Sequence, residues 1–137
     1  MRVCVIDGQG GGIGSEIIKK LKDTFGEKVE VIALGTNSIA TSAMMKARAN
    51  RGATGENAIV QTVPKCGIII GSISIVLANS MMGELTPRMA EAISSSPAPK
   101  FLLPITQEKV NIIGVTTKPL PRMVDDLINI KLKELIG

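Results

Sequence analysis

The chain has 137 residues, 45% of them apolar, and a net charge of +4 from 16 basic and 12 acidic side chains. A chain of that size buries roughly two-thirds of its unfolded surface, so a single domain over residues 1–137 can hold a full core without disulfides or metal. It contains no His, Trp or Tyr, only two Phe and only two Cys, which excludes Ser-His-Asp and Cys-His catalysis, His metal sites and four-cysteine zinc or iron–sulfur sites, and argues against nucleic-acid binding by base stacking.

The first strand is predicted at Val3–Ile6, a short apolar run ended by Asp7-Gly8. Cys4 falls inside it and is expected to be a small core residue. The N-terminus reads as this strand and has no signal-peptide pattern. Nothing asks for an oxidising compartment, so the cytoplasm is the expected location. Residues 8–14 read Gly-Gln-Gly-Gly-Gly-Ile-Gly, and Ile13, Ile17, Leu21 and Phe25 then repeat every fourth position on one helix face. A second strand is predicted at Val29–Leu34, completing a βαβ unit. Turn and capping residues Gly35-Thr36-Asn37-Ser38 follow, then a helix from Ile39 to about Asn50. Arg51–Gly55 reads as a loop, and Glu56 to about Thr62 as a short helix ended before Pro64.

A third strand is predicted near Gly67–Ile70, followed by an apolar helix over Ile73–Met82, with a longer strand as the alternative. The uncharged stretch 66–83 reaches the length of a membrane span, but Ser72, Ser74, Asn79, Ser80 and three glycines interrupt it. A buried strand plus helix is therefore expected, with no membrane span. Thr86-Pro87 is a helix start. Strands at Lys100–Ile105 and Val110–Val115 are separated by four residues, Thr106–Lys109, too few for a crossover, so they are predicted to form a hairpin. A last amphipathic helix follows Pro121. The expected fold class is thus a Rossmann-like α/β three-layer sandwich whose five-stranded, mostly parallel sheet has one antiparallel strand from a C-terminal hairpin.

Strand, glycine-rich turn and helix form the phosphate-binding arrangement of nucleotide folds. Glycines let the backbone approach a phosphate, and the helix N-terminus offers free N–H groups and partial positive charge. Gly8, Gly12, Ile13 and Gly14 fit G-x-x-x-G-I-G, a spacing that resembles the loop of short-chain dehydrogenases, with Asp7 where that loop has Thr. The dehydrogenase Y-x-x-x-K motif has no counterpart in a chain without Tyr. The acid that would hold ribose hydroxyls after the second strand is also absent, since residues 34–37 are Leu-Gly-Thr-Asn. The cofactor-binding candidates are Gly8, Gly10, Gly11, Gly12, Ile13, Gly14, Thr36 and Asn37. Phosphate contacts are open to Lys46, Arg48 and Arg51, a basic cluster without an acid, which favours NADP or another phosphate-bearing nucleotide over NAD. Asp7, Glu56, Asn79 and Glu84 are the remaining polar candidates, with the three acids open to acid–base work. Asp7 also reads as a carboxylate that accepts loop N–H bonds, and Asn37 as a helix cap.

Three stretches, VIDGQGGGIG, TNSIATSAMMKARANRGATGENAI and LANSMMGELTPRMAEAI, give the whole chain a resemblance to a short bacterial family known only as a domain of unknown function. The resemblance implies one Rossmann-like domain and carries no activity with it.

The function expected first is binding of a nucleotide or other phosphate-bearing small molecule at the glycine loop. A small redox or transferase enzyme using that ligand, and a ligand-free structural or interaction protein, stand beside it. With no separate substrate domain, a homo-oligomer is expected to close the site. Neither nucleic acid nor membrane is an expected partner.

Overall fold

In the computed structural model, which describes residues 1–137, the chain lays down β1 (Arg2–Asp7), α1 (Gly12–Phe25), β2 (Glu30–Gly35), α2 (Ser38–Lys46), β3 (Arg51–Thr54), α3 (Glu56–Thr62), β4 (Ile68–Ser72), α4 (Pro87–Ser95), β5 (Lys100–Leu103) and α5 (Leu120–Asp126). Beyond α5 the helix widens into a π-helical stretch, Leu127–Leu132, and ends as α6, Lys133–Ile136. The strand order is β3-β2-β1-β4-β5 and every neighbouring pair is parallel. This is the doubly wound order, in which the chain works outward from β1 in one direction and then restarts at β4 in the other.

The central strand explains the layers. Val3 and Val5 point into one apolar cluster, with Ile17, Ile18 and Leu21 of α1, Met44 of α2 and Val124 and Ile128 of the C-terminal helix. Cys4 and Ile6 point into the other, with Ile59 of α3 and Met89 and Ile93 of α4. Both faces of β1 are buried, so its sequence is a continuous apolar run and not an alternation. Cys4 is a fully buried core residue, and its sulfur is bonded to that of Cys66, just ahead of β4. No helix is long and apolar enough to cross a membrane.

Four sequence expectations are corrected. The hairpin does not form, and the sheet is parallel throughout. Val110–Val115 is exposed and belongs to no strand. The turn that was to join the hairpin is tied elsewhere. The Glu108 N–H donates to Thr106 Oγ1 at 3.1 Å, and Glu108 Oε1 accepts the Met81 N–H at 3.2 Å. These bonds hold the chain against the β4–α4 connection, and Gly114 then bends it with φ of 87°.

The fifth strand is instead Arg51–Thr54, expected as a loop. It pairs with β2 from Ile32↔Arg51 to Gly35↔Thr54. As an edge strand it buries little, so its sequence carries no apolar period. The third correction lies after β4. Ser72 Oγ accepts the Ser74 N–H, which starts a single 3-10 turn at Ile73–Val76 in place of an apolar helix. Positive φ at Asn79, Met81, Met82 and Gly83 then shapes an irregular loop. The α2 helix also stops at Lys46, short of Asn50, whose side chain accepts the Val31 N–H at 2.8 Å.

Candidate functional site

In parallel open sheets, ligands bind outside the carboxyl ends of the strands where the strand order reverses. Here that point lies between β1 and β4. Asp7 ends β1 and Ser72 ends β4, and the glycine loop rises between Asp7 and α1. A crevice of about 110 Å³ opens at this point, bounded by Asp7, Gln9, Ile13, Ser72, Ser74 and Thr106.

The loop is built from backbone bonds and two carboxylates. Gly11 N–H donates to Gly8 O at 3.0 Å, and Gly11, at φ 76°, turns the chain into the helix. Asp7 Oδ1 accepts the Gly8 N–H at 2.8 Å, and Oδ2 accepts the Gly14 N–H at 2.7 Å. One buried side chain thereby closes the loop from strand end to helix start. Burial pushes the Asp7 carboxyl above its ordinary pKa. The Gly14 and Gly8 N–H groups oppose this, while the nearby Glu84 charge adds to it.

This raised pKa sets a pH dependence. The folded chain holds the Asp7 proton more tightly than the unfolded chain. Stability from the neutral carboxyl is therefore fully present below the unfolded value and is lost as pH rises through the folded one. Urea unfolding from about pH 3 to pH 7 should show the free-energy difference, wild type minus Asp7→Asn, falling as pH rises. A difference that stays flat or rises would contradict it.

Glu84 comes from the loop before α4 and reaches over the end of β2. Its Oε1 accepts from Gln9 N–H at 2.8 Å, Thr36 Oγ1 at 2.7 Å and Asn37 Nδ2 at 2.8 Å. Burial raises the Glu84 pKa, but these three donors outweigh it and hold the carboxyl below its usual range. Asn37 has a second task. Its Oδ1 caps α2 by accepting the Ala40 N–H at 2.9 Å, and its Nδ2 also donates to Gln9 O at 3.0 Å. The capping role and the site role fall on one residue.

The structure thus brings Asp7, Gly8, Gly10, Gly11, Gly12, Ile13, Gly14, Thr36, Asn37 and Glu84 to one edge. It does not bring the basic cluster there. The α2 helix carries the chain down to the amino edge of the sheet. There Arg48 pairs with Asp23 of α1, Arg51 pairs with Glu30 at the start of β2, and Lys46 is exposed. None of the three reaches the glycine loop. Glu56 starts α3 and pairs with Arg88 of α4 at 3.5 Å. Asn79 is exposed at φ 68° and shapes its loop by donating its N–H to Leu85 O at 2.7 Å.

Sequence reasoning missed Ser72, Ser74 and Thr106, which line the crevice. Ser74 Oγ donates to Thr106 Oγ1 at 2.8 Å. The end of a strand beside β1 was the signal for Ser72, whereas Thr106 was hidden by its assignment to a hairpin turn. A larger groove of about 570 Å³ lies between β5 and the C-terminal helix and contains none of the loop residues.

No curated protein and no solved structure matches this chain. A family model described as a domain of unknown function, DUF3842, matches residues 2–136, nearly the whole length, and the chain belongs to that family.

Proposed function

We propose that the protein binds a nucleotide or other phosphate-bearing small molecule at the glycine loop, with its phosphate on the N–H groups of Gly10, Gly12 and Ile13. The observation that carries this reading is a pair of glycines the fold does not use. A Cβ added at Gly10 or Gly12 would meet nothing within 4 Å, and neither residue has positive φ. Gly11 needs its φ, and Gly8 and Gly14 are closely approached by side chains. A missing side chain facing open space leaves room for a ligand to touch backbone. The N–H groups agree. Those of Gly8, Gln9, Gly11 and Gly14 are bonded within the protein, while those of Gly10, Gly12 and Ile13 have no acceptor. Gly12 and Ile13 open α1, where free N–H groups are the rule, and the Gly10 N–H adds a third donor beside them, so that the three together suit an anion.

The crevice is open on this single chain, so completion of the site by a second copy belongs to the same proposal, as does a cytoplasmic setting, in which the Cys4–Cys66 pair would be kept reduced. The test is a thermal-shift panel of NAD, NADP, FMN, ATP, coenzyme A and inorganic phosphate, with native mass spectrometry for copurified ligand and subunit number. At least one compound should stabilise the wild type. Gly12→Val should abolish that shift while leaving the ligand-free melting point nearly unchanged, because its Cβ meets no neighbouring atom within 4 Å. No shift from any compound and no copurified ligand would sink the reading.

A further inference from the structure

We infer that Glu84 is the sugar-recognising residue of this site, selecting ligands whose ribose carries free hydroxyls and rejecting those with a 2′-phosphate. The inference rests on the phosphate-binding reading above and adds a ligand class to it.

Position is the first argument. With a phosphate on the β1–α1 turn, the attached ribose of a nucleotide falls at the end of β2, where an acid accepts its hydroxyls. The residues directly after β2 supply no acid, but Thr36 and Asn37 grip a carboxylate that arrives from 48 and 47 positions further along the chain. The same carboxylate accepts the Gln9 N–H of the glycine loop, so it stands between the loop and the end of β2.

The division of its oxygens is the second. Oε1 accepts all three bonds, whereas Oε2 accepts none and is not sealed from solvent. One oxygen fixes the group and the other is presented to a ligand. Such a carboxylate has already lost its rotamer freedom, so accepting a hydroxyl costs little further ordering.

Charge is the third. Glu84 is ionised at neutral pH, since its donors hold its pKa down against the effect of burial. No cation pairs with it, and none contributes to its ionisation. Lys46, Arg48 and Arg51 lie at the opposite edge, and Arg88 pairs with Glu56. A 2′-phosphate would meet this carboxylate without compensation, while a hydroxyl would donate to it.

Isothermal titration with ADP, 2′-deoxy-ADP and 2′-phospho-ADP, which share one 5′-diphosphate, tests this directly. ADP should bind the wild type roughly tenfold tighter than either of the others, the worth of one hydrogen bond to a charged group. Glu84→Gln keeps an acceptor for the three anchoring donors. It should bring the ratio of ADP to 2′-deoxy-ADP affinity close to one, whatever it does to the two affinities together. Equal binding of ADP and 2′-deoxy-ADP to the wild type, both abolished by Gly12→Val, would make Glu84 a structural latch and overturn the inference while the loop reading survives. Glu84 is likewise only a latch if Glu84→Gln lowers the melting point but not the preference for ADP. Binding of none of the three probes, with no shift in the wider panel, would overturn both. The wild-type comparison needs no variant, so the inference stays testable even if Glu84→Gln fails to fold.

Discussion

Gly11→Ala is expected to lower the unfolding free energy by about 3 kcal/mol, measured by urea denaturation. Two effects add. Gly11 sits at φ 76°, a conformation that costs an L-residue roughly 1–2 kcal/mol. Its added Cβ would also lie 2.8 Å from Ala40 O and 2.9 Å from Ala40 Cα. Those are backbone atoms in the first turn of α2, and that turn is held by the Asn37 cap and by the Asn37 bond to Gln9 O. Neither side can move without breaking bonds that join the loop to α2. Gly12→Ala is the matched control, since its Cβ meets nothing. It should stay within about 0.5 kcal/mol of wild type. Equal effects at the two positions would contradict the division of the loop into glycines that serve the fold and glycines that face a ligand.

That division was not legible in the sequence, where five glycines in seven positions look alike. What was legible was the local pattern. Helix α1 shows its apolar positions at fourfold spacing, and Thr86-Pro87 starts α4 as cap and first residue. The continuous apolar runs of β1 and β4 mark strands buried on both faces. Edge elements were misread because their sequences follow exposure and not pairing. Arg51–Thr54 is polar and yet is a strand. Val110–Val115 is rich in β-branched residues and yet is not, because bonds to Met81 and Thr106 direct the chain away from the sheet.

The site shows the same limit. Thr36 and Asn37 follow from their place after β2, because that place is set by the βαβ unit. The role of Glu84 does not, because its loop crosses the top of the sheet only through tertiary contacts. The carboxylate that stands beside Thr36 and Asn37 comes from a loop distant in sequence. The basic residues failed in the opposite way. Lys46, Arg48 and Arg51 are near Asn37 in sequence, but a helix of nine residues separates the two ends of α2. At 1.5 Å per residue that is about 13 Å, beyond the reach of the side chains.

Cys66→Ser is expected to lower stability by about 4 kcal/mol relative to the oxidised wild type. The bond to Cys4 closes a loop with a sequence separation of 62, which contains α1, β2, α2, β3 and α3. Cross-linking a loop of that length removes much of the freedom of the unfolded chain, and the entropy gained when the link is lost sets the size of the effect. The folded state itself changes little. The Cα atoms stand 5.9 Å apart, within the ordinary range for bridged cysteines. As free thiols the two side chains would remain small apolar residues of the α3–α4 core. In a reducing buffer, therefore, wild type and variant should differ by only about 1 kcal/mol. Urea unfolding of both proteins, with and without reductant, separates the cases. A wild-type curve that ignores the reductant would show that the link adds nothing to stability. A curve that shifts as expected would make this domain considerably less resistant to unfolding wherever thiols are kept reduced. The non-covalent core on both faces of β1 would then carry the fold alone.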